Sequence, residues 1–451
     1  MFIYCVSALQ ARACGTAISI CRTASLALLP ALSISLLSSG PALASETLSL
    51  KQALALAAST DPWQQLSLSK EASLREKSIV AGTLPEPRVV LGLANVPTDS
   101  FSFNQEGMTQ VAVSLSQAFP AGDSLSLSSK RFEALADESE PARTLRAAKI
   151  QKEVATLWAS LYQQESTIST LLQTRKLLES LEESIGGSYS SGFGRSTQQD
   201  LVQSQLELDR IDEKMLSVHQ SFERSRATLL RYLPELAEDT KLLLERSWQH
   251  GLAANLSRDV EVERLLTHPS IEVLDAQSDT LDFDKRIAEE QYKPSWSINL
   301  GYGFRGEDTN GRDRSDLASI SVSMTVPFFA EKKWDAGVRA ASHASEGLKF
   351  ERQLQLNALR ADYQGAYHAL SAVNERLSFY QNTLLTRYEQ NAEAAMNAYA
   401  SNEGGYAAVI KARVSAMNAQ LEVISLESEQ LRLAAELAYI SGISVVKGEQ
   451  Q

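Results

Sequence analysis

Two periodicities alternate along this chain. Four short stretches repeat with period two, which places one set of side chains on each face of a strand. In 296–304, Trp296, Ile298, Leu300, Tyr302 and Phe304 share one face and Ser297, Asn299, Gly301 and Gly303 the other. In 320–326, Ile320, Val322, Met324 and Val326 oppose Ser321, Ser323 and Thr325. In 111–119, Val111, Val113, Leu115 and Phe119 oppose Ala112, Ser114, Ser116 and Ala118, and in 89–93, Val89, Leu91 and Leu93 oppose Val90 and Gly92. These patterns predict strands at about 88–96, 109–119, 295–305 and 317–327. The rest is dominated by helical periodicity. Helices are expected at about 48–80, 122–186 (with a kink at Pro141), 197–233, 259–291, 331–398 and 406–441, with turns at 187–196 and 401–405.

The longest helical stretch carries a heptad. Ile150, Leu157, Gln164, Leu171, Leu178 and Ile185 occupy a positions, and Val154, Leu161, Ile168, Arg175 and Glu182 occupy d positions. Leu201, Leu208, Ile211, Met215, Val218, Phe222, Leu229 and Tyr232 keep the same rhythm in the helix that follows. A mostly apolar a/d stripe is a coiled-coil seam, and a segment such as 142–186, at about 1.5 Å per residue, is too long to fold back into a globule.

The two halves repeat each other. Thr60-Asp61-Pro62 recurs as Thr267-His268-Pro269, and the run 113–120, ending Phe119-Pro120, recurs as 320–327, ending Val326-Pro327. Both lie 207 positions apart, and Tyr189 and Tyr399, each before a Gly-rich turn, lie 210 apart. Three landmarks in one order at nearly one spacing indicate an internal duplication. The repeats run over 46–245 (helical hairpin about 122–233) and 258–446 (hairpin about 331–441), joined by a linker at 246–257.

A half-buried soluble sheet would show the same alternation as these strands. Two features favour a membrane barrel instead. The non-apolar face is mostly Ser, Gly, Ala, Asn and Thr with almost no charge, and each strand is close to the roughly 9 to 11 residues that cross a bilayer at a tilt. Trp296, Phe304, Phe119 and Phe328 near strand ends fit an interfacial girdle. Geometry then demands assembly. An open sheet edge cannot face lipid. Four strands are too few to close, and two copies give about eight, a barrel filled by side chains. Three copies give about twelve, the smallest set that leaves a hole.

Composition narrows the setting. Residues 1–44 hold Arg12 and Arg22, an apolar stretch from Ala24 to Leu37 and the small-residue end Ala42-Leu43-Ala44, the pattern of a cleaved signal peptide. An uncleaved anchor is the alternative, and Pro30 and the short apolar run argue against it. Cys5, Cys14 and Cys21 all lie in that segment, so the remainder is expected to have no disulfide, thiol nucleophile or thiolate metal site. The net charge of −12 becomes −14 when the two arginines leave, which argues against a nucleic-acid partner.

The hairpin turns, Gly186 to Ser196 and Tyr399 to Tyr406, are the expected contact sites. Gly192, Gly194, Arg195, Ser196, Gly404 and Gly405 would let a partner's helical hairpin approach closely, although residues of these types also simply make turns. Ser196 or Thr197 is placed to cap the next helix, with Asp200 in its first turn.

With Leu48-x-Leu50-x-x-Ala53-Leu54 before Asp61-Pro62, the strand ends Phe119-Pro120 and Val326-Pro327, and Tyr189 or Tyr399 with the glycines that follow, the chain resembles the TolC-like outer-membrane efflux proteins over 46–446. Pro87-Arg88, Gly107-Met108-Thr109-Gln110 and Ser116-Gln117-Ala118-Phe119-Pro120 look like its heavy-metal efflux branch. The resemblance implies an α+β membrane protein, internally duplicated, with four transmembrane β-strands plus long coiled-coil α-helices. It further implies a homotrimer, a twelve-stranded β-barrel in outer-membrane lipid continued by a twelve-helix periplasmic α-barrel. The partners it implies are a periplasmic adaptor (membrane fusion) protein and an inner-membrane pump of the resistance-nodulation-division (RND) class. The channel would be passive, a tripartite-system subunit exporting heavy-metal cations or drugs. One departure stands out. Relatives often carry acids just after the second tip, where they ring the closed pore, whereas this chain reads Ala407-Ala408-Val409-Ile410-Lys411. Asp200 and Glu403 are the remaining candidates for pore-gate acids.

Nothing here suggests an enzyme or a cofactor. His219, His250, His268, His343 and His368 are scattered without metal-ligand spacing, and no Gly-x-Ser-x-Gly, phosphate loop or His-Glu-x-x-His occurs. The competing readings are a secreted periplasmic coiled-coil scaffold or adaptor and, more remotely, a cell-wall polysaccharide enzyme on an unfamiliar fold.

Overall fold

A computed structural model describes residues 47–190 (backbone only at 185–190), 197–237, 240–244, 262–326, 330–401 and 403–442. The proposed signal peptide, the linker, Pro327, Phe328 and most of the first hairpin turn fall outside those residues. The element order is β1 (Leu48–Ser49), α1 (Leu50–Ser59), α2 (Pro62–Gly82), β2 (Arg88–Ala94), β3 (Gln110–Phe119), α3 (Ser124–Asp137), α4 (Ser139–Ser190) and α5 (Gln198–Leu229). There follow β4 (Leu242–Leu243), α6 (Val262–Leu266), α7 (Pro269–Glu290), β5 (Ser295–Phe304), β6 (Leu317–Thr325), α8 (Glu331–Phe379), a π-helical turn (Tyr380–Leu384), α9 (Leu385–Ala400) and α10 (Tyr406–Ile440).

Several expected helices are divided, each for a local reason. The helix expected over 48–80 breaks at Thr60-Asp61, because Asp61 leaves helical dihedrals to cap α2 and Pro62 has no N–H to continue α1. Its counterpart over 259–291 breaks in the same way at Thr267-His268-Pro269. The expected kink at Pro141 is instead a break at Glu138, three residues earlier. Proline sits in the first turn of α4, where its missing N–H costs nothing. The helix expected over 331–398 carries the π turn at Tyr380–Leu384, from which Gln381 Nε2 donates to Glu427 Oε1 at 3.3 Å.

Seam residues pack as their spacing requires. Trp158 and Leu161 on α4 are fully buried with Leu229, Leu54 and Ala435, and Leu171, Leu178, Leu208 and Ile211 form a second cluster with Tyr406, Ile410 and Met417. Two of the three polar residues that interrupt the heptad find polar partners across the hairpin. Arg175 donates to Asp212 from Nε (2.7 Å) and Nη2 (3.2 Å), and Gln164 Nε2 donates to Ser225 Oγ at 3.0 Å. At about 1.5 Å per residue, the 52 residues of α4 span roughly 78 Å. Helix α10 lies against both α4 and α8, so the two hairpins form one bundle.

The four long strands form one antiparallel sheet in the order β2-β3-β5-β6. Strands β3 and β5 pair at the centre, and among the described residues β2 and β6 have no further strand beside them. A second, two-stranded pairing joins Leu48–Ser49 in parallel to Leu242–Leu243.

Candidate functional site

Register assigns every strand residue to a face. Val89 pairs with Leu115, Leu115 with Leu300, and Leu300 with Ile320. Leu93 pairs with Val111 and Val111 with Phe304, while Phe119, Trp296 and Met324 form a further row. One face is therefore apolar from edge to edge. Gln117, which the alternation pattern passed over, sits on that face beside Ile298, and its Nε2 donates to Pro85 O at 2.8 Å. The opposite face carries Ser114, Gly301 and Ser319 in one row, and Arg88, Ser116, Asn299 and Ser321 in another.

Among the described residues no helix covers the apolar face. Leu91 and Ile320 are each 73% exposed, and Val89, Leu93, Val322 and Phe304 are all more than half exposed. A soluble half-buried sheet packs this face against a second layer, because each large aliphatic side chain gains about 1.5–3 kcal/mol on burial. Among the described residues no such layer is present. Single exposed apolar residues are ordinary, but a patch this size marks a partner or membrane surface. Among the described residues no helix is long and apolar enough to cross a membrane.

The ends of the sheet differ. One end holds the Pro85–Pro87 connector, the β3–α3 turn and the α7–β5 turn. There Glu290 accepts from the Asp123 N–H at 2.6 Å and pairs with Lys293 at 2.7 Å, and these two contacts hold its carboxyl below the ordinary range. The other end holds the two strand loops. Arg314 donates to Glu106 O and Asn104 O, each at 2.8 Å, and Arg305 Nη1 donates to Gly107 O at 3.1 Å. These bonds lock the 305–316 loop onto the 95–109 loop.

The hairpin tips lie at the far end of the helices. Tyr406 is buried, stands edge-on to Tyr399 at 5.8 Å, and donates from its hydroxyl to Ser204 Oγ on α5 at 3.1 Å. That bond joins the start of the second hairpin's return helix to the first hairpin, and burial raises the Tyr406 phenol above its ordinary pKa. Of the expected contact residues, Gly192, Gly194, Arg195 and Ser196 lie outside the described residues. Gly404 is closely packed by its own chain, since a Cβ there would come within 3.1 Å of Ala398 Cβ, and the neighbour would have to give by a few tenths of an ångström. Gly405 is different. It caps α10 with extended dihedrals, and a Cβ there would meet nothing within 4 Å. Thr197 is the cap of α5, and Asp200 completes a capping box by accepting from the Thr197 N–H (2.9 Å) and hydroxyl (2.7 Å). Glu403 is exposed, with no side-chain hydrogen bond or ion pair among the described residues.

A groove of about 510 Å³ mixes Glu133, Asp137, Asp279 and Asp282 with Lys130 and Arg286 and lies open between α3 and α7. No group of three His, Cys, Asp or Glu among the described residues could hold a metal ion.

No protein-family model and no curated protein matches this sequence. Solved structures do match the fold. CusC, described in terms of folding and transmembrane channel formation, superposes with a TM-score of 0.72 at 13% identity, over 87% of this chain and 91% of that one. The outer-membrane protein VceC from Vibrio cholerae gives 0.68 at 14% identity, over 87% and 96%. The open state of the MtrE outer-membrane channel from Neisseria gonorrhoeae gives 0.68 at 14% identity, over 89% and 90%. The chain has the fold of these TolC-like channel proteins. At such low identity the likeness concerns fold alone.

Proposed function

We propose that this chain is the subunit of a passive channel in the outer membrane of a Gram-negative bacterium, working as the outer component of a tripartite efflux system. One observation carries the proposal: a four-stranded sheet with an uncovered apolar face, an almost uncharged opposite face and two free edges. Lipid satisfies the apolar face, and a second copy of the chain satisfies each edge, because unpaired strand N–H and C=O groups cannot face hydrocarbon. Three copies then enclose a water-filled barrel of about twelve strands, with the hairpins continuing it as a helical tunnel into the periplasm.

The tips fit contact with a periplasmic adaptor, which would link the channel to an inner-membrane RND pump. Gly405 supports this, because among the described residues a Cβ there would meet nothing, which leaves room for close approach by a partner. Gly192, Gly194, Arg195 and Ser196 would contribute from the first turn. Glu403, unpaired at the tip, is the better candidate for a gate charge, since Asp200 is engaged in its capping box. The exported solute would be a small substrate, a heavy-metal cation or a drug, chosen mainly by the pump.

Planar-bilayer recording of the detergent-purified protein tests the reading. Discrete conductance steps from a trimeric fraction are expected. A protein that is monomeric and soluble without detergent, and that gives no steps, overturns it in favour of a periplasmic scaffold.

A further inference from the structure

Arg88 is the only charged residue in the four long strands. It opens β2 and pairs in register with Ser116, in the row that continues through Asn299 to Ser321. That row belongs to the polar face, opposite Val89, Leu115, Leu300 and Ile320. Arg88 is exposed and has no ion pair or side-chain hydrogen bond among the described residues. Glu86, two positions earlier in the connector, forms no ion pair with it.

A structural arginine in a sheet normally has a carboxylate or carbonyl to hold, as Arg305 and Arg314 do at the opposite end. Among the described residues Arg88 holds nothing, and its neighbours across the sheet are two serines and an asparagine. An unpaired guanidinium on a wall of small neutral side chains acts through its field on whatever passes.

We infer that Arg88 is a selectivity residue: repeated in each copy, it forms a ring of positive charge on the lumen wall where barrel meets helical tunnel, favouring small anions and anionic solutes over cations. This rests on the channel reading above, which makes the polar face the lumen. The ring opposes the loops at the other end of the sheet, where Asp99, Glu106, Glu307, Asp308, Asp313 and Asp316 outnumber Arg305, Arg312 and Arg314. The ring is therefore read as a change in selectivity on substitution, not as the absolute preference of the pore.

Three unit charges about 10 Å from a water-filled axis, screened at about 0.1 M salt, shift the cation-to-anion permeability ratio on the order of threefold to fivefold. The test is the reversal potential across a planar bilayer under a potassium chloride gradient, for wild type, Arg88→Ser, Arg88→Glu and Arg88→Lys. Arg88→Ser should raise the potassium-to-chloride ratio about that much, Arg88→Glu should raise it further, and Arg88→Lys should leave it near wild type. Trimer recovery in detergent and unchanged step frequency separate misfolding from selectivity. Equal ratios in all four proteins overturn the inference while leaving the channel intact. Absence of conductance steps in the wild type is a different result, and overturns the channel reading itself.

Discussion

Asp61 and His268 do one job with different chemistry, and that difference is testable. Each caps a helix that begins with proline. Asp61 Oδ1 accepts from the Trp63 N–H at 3.2 Å, and His268 Nδ1 accepts from the Ser270 N–H at 3.1 Å. Asp61 also holds Arg146 at 2.9 Å, whereas in the second repeat Gln355 Nε2 donates to Ser270 Oγ at 3.2 Å. Asp61→Ala should lower stability by about 1–2 kcal/mol, read as an earlier denaturant midpoint. His268 is fully buried, edge-on to Tyr439 at 5.1 Å, and its Nε2 faces the Tyr439 backbone without reaching hydrogen-bond geometry. Burial is the main cause that pushes its pKa below the ordinary 6.5, and the Lys149 charge adds to it against the Tyr439 backbone. Nearby, Lys152 sits over the Tyr439 ring and pairs with Glu436. The sign follows from the lowered value. The unfolded chain takes up the proton first, so the stabilisation is complete above pH 6.5 and is lost as pH falls from there toward the folded-state value. Protonation also turns Nδ1 from acceptor to donor and removes the cap. Asparagine caps well and does not titrate. Thermal midpoints of wild type and His268→Asn, compared between pH 7.5 and 5.5, should therefore diverge, with the wild type losing more. A constant difference across that range would refute the assignment.

At the scale of elements, the sheet's two faces predict opposite tolerance to charge. Ile320 lies on the apolar face and Ser321, its neighbour, on the polar one. Ile320→Arg should cost about 2–4 kcal/mol of insertion energy and deplete folded trimer from outer-membrane fractions, whereas Ser321→Arg should leave trimer near wild type. Equal loss in both would mean that neither face meets lipid. Strands were the most legible elements, since period-two alternation from Trp296 to Phe304 leaves little freedom in which side chain faces where. Hydrophobic spacing over 48–80 and 259–291 survives a two-residue break and so predicts continuous helices, although Asp61-Pro62 and His268-Pro269 are capping signals in plain view. The π turn at Tyr380–Leu384 leaves no comparable mark, because one extra residue per turn barely shifts an apolar stripe. Arg175 looked like a fault in the heptad. Only the fold brings Asp212, 37 residues on, opposite it. Of the tip residues, Gly405 became informative only once the space around it was known, because sequence cannot separate a glycine needed for a turn from one left free for a partner.

For the whole molecule, the free edges β2 and β6 set the outcome. Within the chain each edge presents a row of backbone N–H and C=O groups with no strand beside it, and both are too apolar on one face to remain in water. A C₂ dimer would pair one edge with its own copy and leave the other open. Head-to-tail pairing of β2 with β6 uses both edges and repeats until it closes. Neighbouring strands stand roughly 4.8 Å apart, within reach of a disulfide between facing side chains. Cys5, Cys14 and Cys21 precede residue 45, so an engineered pair supplies the only cysteines beyond that point. Ile320→Cys combined in turn with Val89→Cys, Leu91→Cys or Leu93→Cys samples the outward-facing positions of β2 against one position of β6. After oxidation in membranes, one combination should give covalent dimers and trimers on a non-reducing denaturing gel, and the single variants none. That combination would fix the register between copies, which the sheet within one chain leaves open. If all three pairs stay monomeric while control pairs across β3 and β5 of the same chain oxidise, the sheets do not meet edge to edge, and closure by three copies is wrong.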